Sequence, residues 1–476
     1  MQEEHLKNHS NLAEAFFNQA NSDPDRIVYF QAIVDSTDAP NKLRSKRAAT
    51  YKEVKQTIIN VSFFLQQLGV KKGDKVAIIS QSRPEWMEAD IAALSIGAVV
   101  VSVYQSLPWD DIGYILYDSG AKVVFAENQE QVNKLIKLTN EECEIPETEE
   151  RDATRVKLNF DKIISFESVV QNDLVVEWKS ISSINQGSPK LEVDNLKQND
   201  LAALVYTSGT TGPPKGVMQT HGNHLANVRQ VITARIVSVD TKIMLFLPLA
   251  HSFAKLMGYL GFITPVQLCF PAIVSTENSK IEPESATKDI REANANAVPL
   301  VPRLLEKMQS GILQKANSGG LAGFLLNQTI NSAKEVYEAR SKDCDASIIN
   351  QVIYALTGFL RKKICRQLFG SEFQYCISGG AKLGIDTAKF FDSLGIQILE
   401  GYGLTETCVA TNVNRPGRNK VGTVGPLVGD DIDIEIAMDG EILFRGPNVA
   451  IGYYGREKAS KEAWDENGWF HTGDLG

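Results

Sequence analysis

The chain has 476 residues, a net charge of −9, 43% hydrophobic and 22% charged residues. That length is too great for one ordinary core, so two or three subdomains are expected, with the composition of a soluble globular protein. The acidic balance argues against nucleic acid or an anionic membrane surface as the main partner and leaves a local basic patch open.

Six cysteines (Cys143, Cys269, Cys344, Cys365, Cys376, Cys408) are scattered without a C-x-x-C pair. Neither a disulfide framework nor a zinc site is expected, and reduced thiols point to a cytoplasmic protein. The polar N-terminus carries no signal peptide. The most apolar stretch, 243–274, is interrupted by Pro248, His251, Lys255, Pro265 and Pro271. It fails as a membrane span and leaves a peripheral membrane contact open.

Residues 10–34 predict a short helix and a strand. Thr50-Tyr-Lys-Glu53 is a capping box, and the helix behind it sets Val54, Ile58, Val61, Leu65 and Leu68 on one face before stopping at Gly69. Lys75 to Ile79 predicts a strand. Pro84 then opens a helix with Trp86, Ala89, Ala93 and Ile96 inward. Ala98 to Val103 predicts a strand, Ile112 to Ser119 a helix, and Lys122 to Ala126 a strand. This alternation implies a parallel, doubly wound sheet. The acidic run 139–153 is expected to be a solvated surface insertion. Phe160 to Phe166 and a helix near Glu167 resume the pattern, and 190–200 is a candidate subdomain junction.

Residues 201–216 read Leu-Ala-Ala-Leu-Val-Tyr-Thr-Ser-Gly-Thr-Thr-Gly-Pro-Pro-Lys-Gly. An apolar strand runs to Tyr206. Thr207, Ser208, Gly209, Thr210, Thr211 and Gly212 follow, then two prolines and Lys215. Glycines let backbone N–H groups approach an anion, hydroxyls add neutral donors, and the lysine adds a point charge. These are the needs of a triphosphate. The stretch is not a Walker P-loop, which ends in Gly-Lys-Ser/Thr at a helix start. Here prolines precede the lysine, and the next helix is expected near Thr220, with Leu225, Val228 and Ile232 on one face.

Residues 242–307 mix strands, helices and Pro-rich turns. Residues 310–370 are helix-rich, with 333–340 and 348–368 as amphipathic segments. After Gly422, residues 431–436 and 441–444 alternate with period two and predict antiparallel strands. Four further motifs stand out. Tyr375-Cys-Ile-Ser-Gly379-Gly380-Ala381 is a strand running into a turn that suits close approach of a flat ligand. In Glu400-Gly401-Tyr402-Gly403-Leu-Thr405-Glu406-Thr407, a ring, a hydroxyl and a hard carboxylate share a flexible turn. A carboxylate beside a triphosphate is best explained as a magnesium ligand. Trp469-Phe-His-Thr-Gly-Asp474 offers an aspartate that can accept from both hydroxyls of a ribose, and Leu247-Pro-Leu-Ala-His251 carries an isolated histidine. His221 and His224 suit helix-start positions better than ligation.

Together, in this order, the motifs closely resemble those of the adenylate-forming enzymes: acyl-CoA synthetases, luciferases and peptide-synthetase adenylation domains. The resemblance covers essentially the whole chain, and the helical segment 310–370 looks most like an insertion of the long-chain fatty-acid–CoA ligases. It implies an α/β N-terminal domain with two doubly wound βα subdomains (1–195 and 196–420, the second holding the phosphate loop) and a smaller distorted β-barrel subdomain (421–476). It implies ATP, Mg²⁺ and coenzyme A, with a fatty acid activated first to an acyl-adenylate and then passed to coenzyme A or a carrier-protein thiol. By resemblance, Lys215 and residues 208–212 hold the β- and γ-phosphates, and Thr207 and Glu406 hold Mg²⁺. Thr405 touches the α-phosphate. Gly379, Gly380 and Ala381 take the adenine and acyl carbonyl, with Glu400, Gly401, Tyr402 and Gly403 around the nucleotide. Asp474 takes the ribose, and His251 lies near the acyl carboxylate. Lys255 stands where the family often carries Arg. Gly446-Pro-Asn-Val-Ala-Ile-Gly-Tyr-Tyr454 also matches a family motif, with a structural role expected.

The chain stops at Gly476, directly after Thr-Gly-Asp-Leu-Gly. Family members continue with a ribose-contacting Arg, a hinge and a small C-terminal domain carrying the adenylation lysine. The expectation is a chain that binds ATP and acyl group but is impaired in both half-reactions. A fatty-acid preference is expected from the helical segment and from 242–274, which could line an acyl tunnel. A non-catalytic nucleotide- or lipid-binding module and an adenylating oxygenase are the alternatives.

Overall fold

Two mostly parallel sheets carry the chain in a computed structural model that describes residues 8–34, 44–183, 187–207, 212–273 and 283–476. The seven-stranded sheet runs, edge to edge, Lys215–Thr220, Leu201–Thr207, Val99–Val103, Lys75–Ile79, Val123–Ala126, Lys162–Ser165 and Val175–Glu177. The eight-stranded sheet runs Asn412–Val413, Gln397–Tyr402, Tyr375–Ser378, Ala297–Leu300, Lys242–Met244, Gln267–Phe270, Ile27–Ile33 and Ser45–Thr50. Among the described residues, antiparallel pairs in these two sheets occur only at the edges: 201–207 with 215–220, 397–402 with 412–413, and 27–33 with 45–50. The sheets do not follow chain order. The hairpin at 27–50 joins the eight-stranded sheet, and the hairpin at 201–220 joins the seven-stranded one.

Strands of continuous β-branched residues need cover on both faces. Val99–Val103 is buried along its whole length. The Pro84–Ser95 helix packs on the seven-stranded sheet, and the Ser252–Ile263 helix on the eight-stranded one. The two helices also press on each other: a Cβ on Gly258 would lie 2.5 Å from Met87 Sδ. Both are therefore buried on every side, which overrides the one-faced reading of the Pro84 helix. The same packing corrects the tunnel expected from 242–274. The Ser252 helix is filled core, and a Cβ on Gly261 would lie 2.3 Å from Leu268. Its apolar excess is explained by a place between two sheets.

Local signals hold where they are self-contained. Thr50 and Glu53 form the capping box on Tyr51–Gln67, and Thr220 caps His221–Thr233. Three expectations change. No helix forms near Glu167: Glu177 accepts from Ser168 Oγ and the Val169 N–H, and the chain turns into the edge strand instead. The acidic run is not wholly solvated. Cys143–Ile145 pairs with Thr154–Val156 and buries Cys143 and Ile145, while Glu149 reaches Lys458 Nζ at 3.0 Å. The segment 348–368 is broken at Thr357 into Ile348–Leu356 and Gly358–Phe369. The small β unit is a three-stranded antiparallel sheet of Asp433–Ile436, Glu441–Arg445 and Phe470–Leu475. No helix among the described residues is long and apolar enough to cross a membrane.

Glu127, at the end of Val123–Ala126, is fully buried and accepts from the Gln81 N–H and from Gln81 Nε2. Burial raises its carboxyl from 4.5 to about 7. The folded state thus holds the proton more tightly than the unfolded chain. That contribution is complete below about pH 4.5 and is lost as pH rises through about 7. Glu127→Gln removes the titration. Between pH 5 and 8, urea denaturation should show the variant gaining roughly 3 kcal/mol on the parent. A constant difference across that range would refute the buried carboxyl.

Candidate active site

Ligands of open α/β sheets sit outside the carboxyl ends of parallel strands. At that end of the eight-stranded sheet, Lys242–Met244 leads to His251, Tyr375–Ser378 to Gly379, Gly380 and Ala381, and Gln397–Tyr402 to Gly403, Thr405 and Glu406. The 201–220 hairpin arrives from the other sheet, with Thr207 directly opposite Lys215. Gly212 follows at φ +84°, a left-handed conformation that suits glycine. Ser208, Gly209, Thr210 and Thr211 lie outside the described residues.

Lys215 and Glu406 meet through a residue between them. The Tyr453 hydroxyl donates to Glu406 Oε1 at 2.9 Å, and Lys215 Nζ stands 5.1 Å from the centre of the Tyr453 ring. Burial raises the Glu406 carboxyl, opposed by Tyr453 and by the Lys215 charge. Burial and the Glu406 charge raise the Tyr453 phenol, which stays protonated as the donor. Tyr453 is placed by backbone pairing. Met218 N–H donates to Gly452 O, Ile451 N–H to Met218 O, and Tyr454 N–H to Gly216 O. Ala450 N–H donates to Glu406 O at 2.7 Å, tying the same segment to the turn that bears Glu406.

Gln219, on the Lys215 strand, joins two more motifs. Its Nε2 donates to Thr405 O at 2.7 Å and to Ser252 Oγ at 3.3 Å. His251 caps the Ser252 helix, its Nδ1 accepting from Phe253 N–H at 3.1 Å. Burial lowers its pKa, so the ring is neutral and carries its proton on Nε2. The Phe253 ring lies against Gly379. Gly403 admits no side chain: a Cβ there would fall 1.3 Å from Val409 O. Glu400 is turned inward, its Oε1 accepting from Leu383 N–H at 2.9 Å, so it pins the turn after Gly-Gly-Ala. His221 and His224 are buried helix residues, as expected, and burial holds His221 down at about 4.

At the end of the Gln397–Tyr402 strand, the Tyr402 hydroxyl donates to Asp474 Oδ2 at 2.7 Å. Glu441 supports that turn by accepting from Gly473 N–H at 2.7 Å. The hairpin has its own clamp. Tyr114 donates to Pro214 O at 2.7 Å, Arg456 donates to Tyr114 and to Asp118, and Tyr206 donates to Asp118. Tyr453, Gln219 and this Tyr114–Arg456–Asp118 clamp were not anticipated as site residues. The 446–454 motif was visible in the sequence, but nothing in it says which strand it pairs with.

Residues 16–454 match the AMP-binding enzyme family. The chain belongs to that family. All the residues just assembled fall within the matched span except those of the Thr-Gly-Asp turn and Arg456. Among curated relatives, the long-chain-fatty-acid–CoA ligase FadD15 of Mycobacterium bovis is 30% identical, covering 98% of this chain and 72% of its own length. Long chain acyl-CoA synthetase 3 of Arabidopsis thaliana is 28% identical over 90% of this chain and 64% of its own length. The N-terminal domain of FACL13 from Mycobacterium tuberculosis superposes with a TM-score of 0.69 at 20% identity, covering 98% of this chain and 96% of that structure. This last likeness confirms the adenylate-forming N-terminal fold.

The donors present suit magnesium bound together with phosphates. Glu406 and Thr207 offer hard oxygens, and no group of three or more His, Cys, Asp or Glu among the described residues could form an all-protein cage. Magnesium prefers this arrangement, with few protein oxygens and the rest from phosphate and water.

Proposed function

We propose that this chain binds ATP and a long-chain fatty acid for activation to the acyl-adenylate and transfer to coenzyme A. The observation that carries the reading is the pair Lys215 and Glu406, held on either side of Tyr453 where the parallel strands end. One fixed cation and one buried carboxylate at the same place suit a magnesium-bound triphosphate and little else.

In this reading a carboxylate oxygen attacks the α-phosphorus. The new P–O bond forms as the bond to the pyrophosphate bridging oxygen breaks. The thiol sulfur of coenzyme A then attacks the acyl carbonyl, AMP leaves, and the thiol proton passes to solvent. The protein forms no covalent bond. It aligns two anions and offsets their repulsion. Lys215, with the 208–212 backbone, holds the β- and γ-phosphates. Thr207 and Glu406 hold Mg²⁺, which when bound withdraws charge from the phosphates. Thr405 meets the α-phosphate, Gly379 to Ala381 and the Tyr402 ring the adenine, and Asp474 the ribose. Neutral His251, capping its helix, lies toward the acyl carboxylate. The names of the relatives at about 30% identity support the fatty-acid class, as does the helical segment Pro302–Phe369. A carrier-protein thiol is the second reading. A long-chain-fatty-acid–[acyl-carrier-protein] ligase of Arabidopsis thaliana is 27% identical over 94% of this chain.

Non-hydrolysable acyl sulfamoyl-adenosines test the substrate class by equilibrium binding. The palmitoyl compound should bind at least ~100-fold more tightly than the acetyl one, since each buried methylene adds about 0.8 kcal/mol. Tighter binding of an acetyl or phenylalanyl compound would overturn the fatty-acid assignment. Failure to bind any of them, or Mg·ATP, would overturn the ligase reading. Thioester formation with coenzyme A against holo-carrier protein separates the two acceptors.

A further inference from the structure

We propose that the Ile348–Leu356 helix and the start of Gly358–Phe369 form a docking surface for an anionic lipid bilayer. A surface helix ordinarily docks by its apolar face. This one is attached by a mixed face of Asn350, Ile353 and Tyr354, the last packed against the core. Glu335, on the neighbouring Gly320–Ser341 helix, accepts from Asn350 Nδ2 and from Ser347 N–H. The Tyr354 ring lies between guanidinium groups, 3.5 Å from Arg361 and 5.4 Å from Arg340. The helix has no buried residue. Four of its apolar residues point to solvent: Ile348 is 79% exposed, Ile349 72%, Val352 51% and Leu356 70%, followed by Phe359 at 67%. The spacing of 348, 349, 352 and 356 puts them on one face.

Charge selects the occupant. From Ile348 to Gly370 the sequence holds Arg361, Lys362, Lys363 and Arg366 and no acidic residue, in a chain of net charge −9. Lys362, Lys363 and Arg366 are exposed beside the apolar ridge. An apolar face flanked by cations is the pattern of a helix lying in the interface of an anionic membrane. A second copy of the chain is disfavoured, because a symmetric contact would set this basic patch against itself. The benefit, taking an apolar acid directly from a bilayer, rests on the fatty-acid reading above. The surface itself does not.

The test is co-sedimentation with phosphatidylcholine vesicles, with and without about a quarter phosphatidylglycerol, scored without ATP or acyl ligand. The parent chain should bind the mixed vesicles, bind neutral ones more weakly, and lose affinity as salt rises. Two variants change only exposed side chains: Ile348→Ser/Ile349→Ser/Leu356→Ser and Lys362→Glu/Lys363→Glu. Each should weaken binding to mixed vesicles at least about tenfold while binding of the acyl sulfamoyl-adenosines stays the same. Parent chain that ignores mixed vesicles, or variants that bind them as the parent does, would overturn the proposal. So would a dimer of the parent in sedimentation velocity that the triple serine variant abolishes. Loss of acyl-adenylate binding in the parent would count against the substrate class and leave the vesicle result standing.

Discussion

Replacing Lys255 with methionine should destabilise the chain by about 3–5 kcal/mol in urea denaturation, the usual cost of leaving one member of a buried ion pair behind. Lys255 and Asp90 are both fully buried, and Lys255 Nζ donates to Asp90 Oδ1 at 3.0 Å and to Ser102 Oγ at 3.2 Å. The ammonium also faces the rings of Trp86 and Tyr259, at 5.0 and 5.7 Å. Burial pushes Asp90 up and Lys255 down, and each charge opposes the other's shift. A compact ammonium fits among two rings, a hydroxyl and a carboxylate. The pair pins the Ser252 helix to the Pro84 helix, and through Ser252 it steadies His251 and Gln219. In Lys255→Met the stranded Asp90 holds a proton, so stability should fall as pH rises. The double variant Asp90→Leu/Lys255→Met should recover most of the loss, because the stranded buried carboxyl is gone. A single variant as stable as the parent would rule out the pair as a structural pin.

Glu406→Gln should cut adenylation by about 10²–10³-fold, measured as ATP–pyrophosphate exchange with parent and variant each fused to a C-terminal domain of the family. That is the usual effect of removing one preorganised group facing transition-state charge. Glutamine can still accept from Tyr453, so the loop should keep its shape and thermal unfolding should barely move. Calorimetric titration separates the metal role. In the parent, ATP binding should depend on Mg²⁺ and weaken as pH falls, since the raised Glu406 carboxyl takes up a proton there. In the variant, both the Mg²⁺ dependence and the pH dependence should shrink. Mg²⁺-dependent binding as strong as the parent's would show that Glu406 is not the metal ligand.

Much of the scaffold was readable because its signals are local. The capping box at Thr50, the helix start near Thr220, the strand from Leu201 to Tyr206 and the glycine stop at Gly69 each involve residues a few positions apart. Several errors share one cause: an apolar period says which residues lie on one face, not what that face meets. The Pro84 helix reads as one-sided and is buried all round. The 348–356 helix reads as amphipathic, docks by a mixed face and leaves Ile348, Ile349, Val352 and Leu356 to solvent. The Ser252–Ile263 helix, inside the stretch read as a tunnel, packs as core.

Sequence alone determined the inventory of chemistry here: a hydroxyl- and glycine-rich turn before Lys215, a Thr-Glu turn at 405–406, and Asp474 after a glycine. Residue types and short spacings carry that information, because local backbone freedom and donor chemistry depend on neighbours in the chain. Only the tertiary structure decided how these pieces meet. Backbone pairing of 450–454 with 216–218 sets Tyr453 between Lys215 and Glu406. Gln219 binds Thr405 and Ser252, and Lys255 finds Asp90 across the core. Such contacts close loops of more than 30 residues, so no local propensity encodes them. They form because two sheets must bury their facing layers together, and that packing chooses the partners.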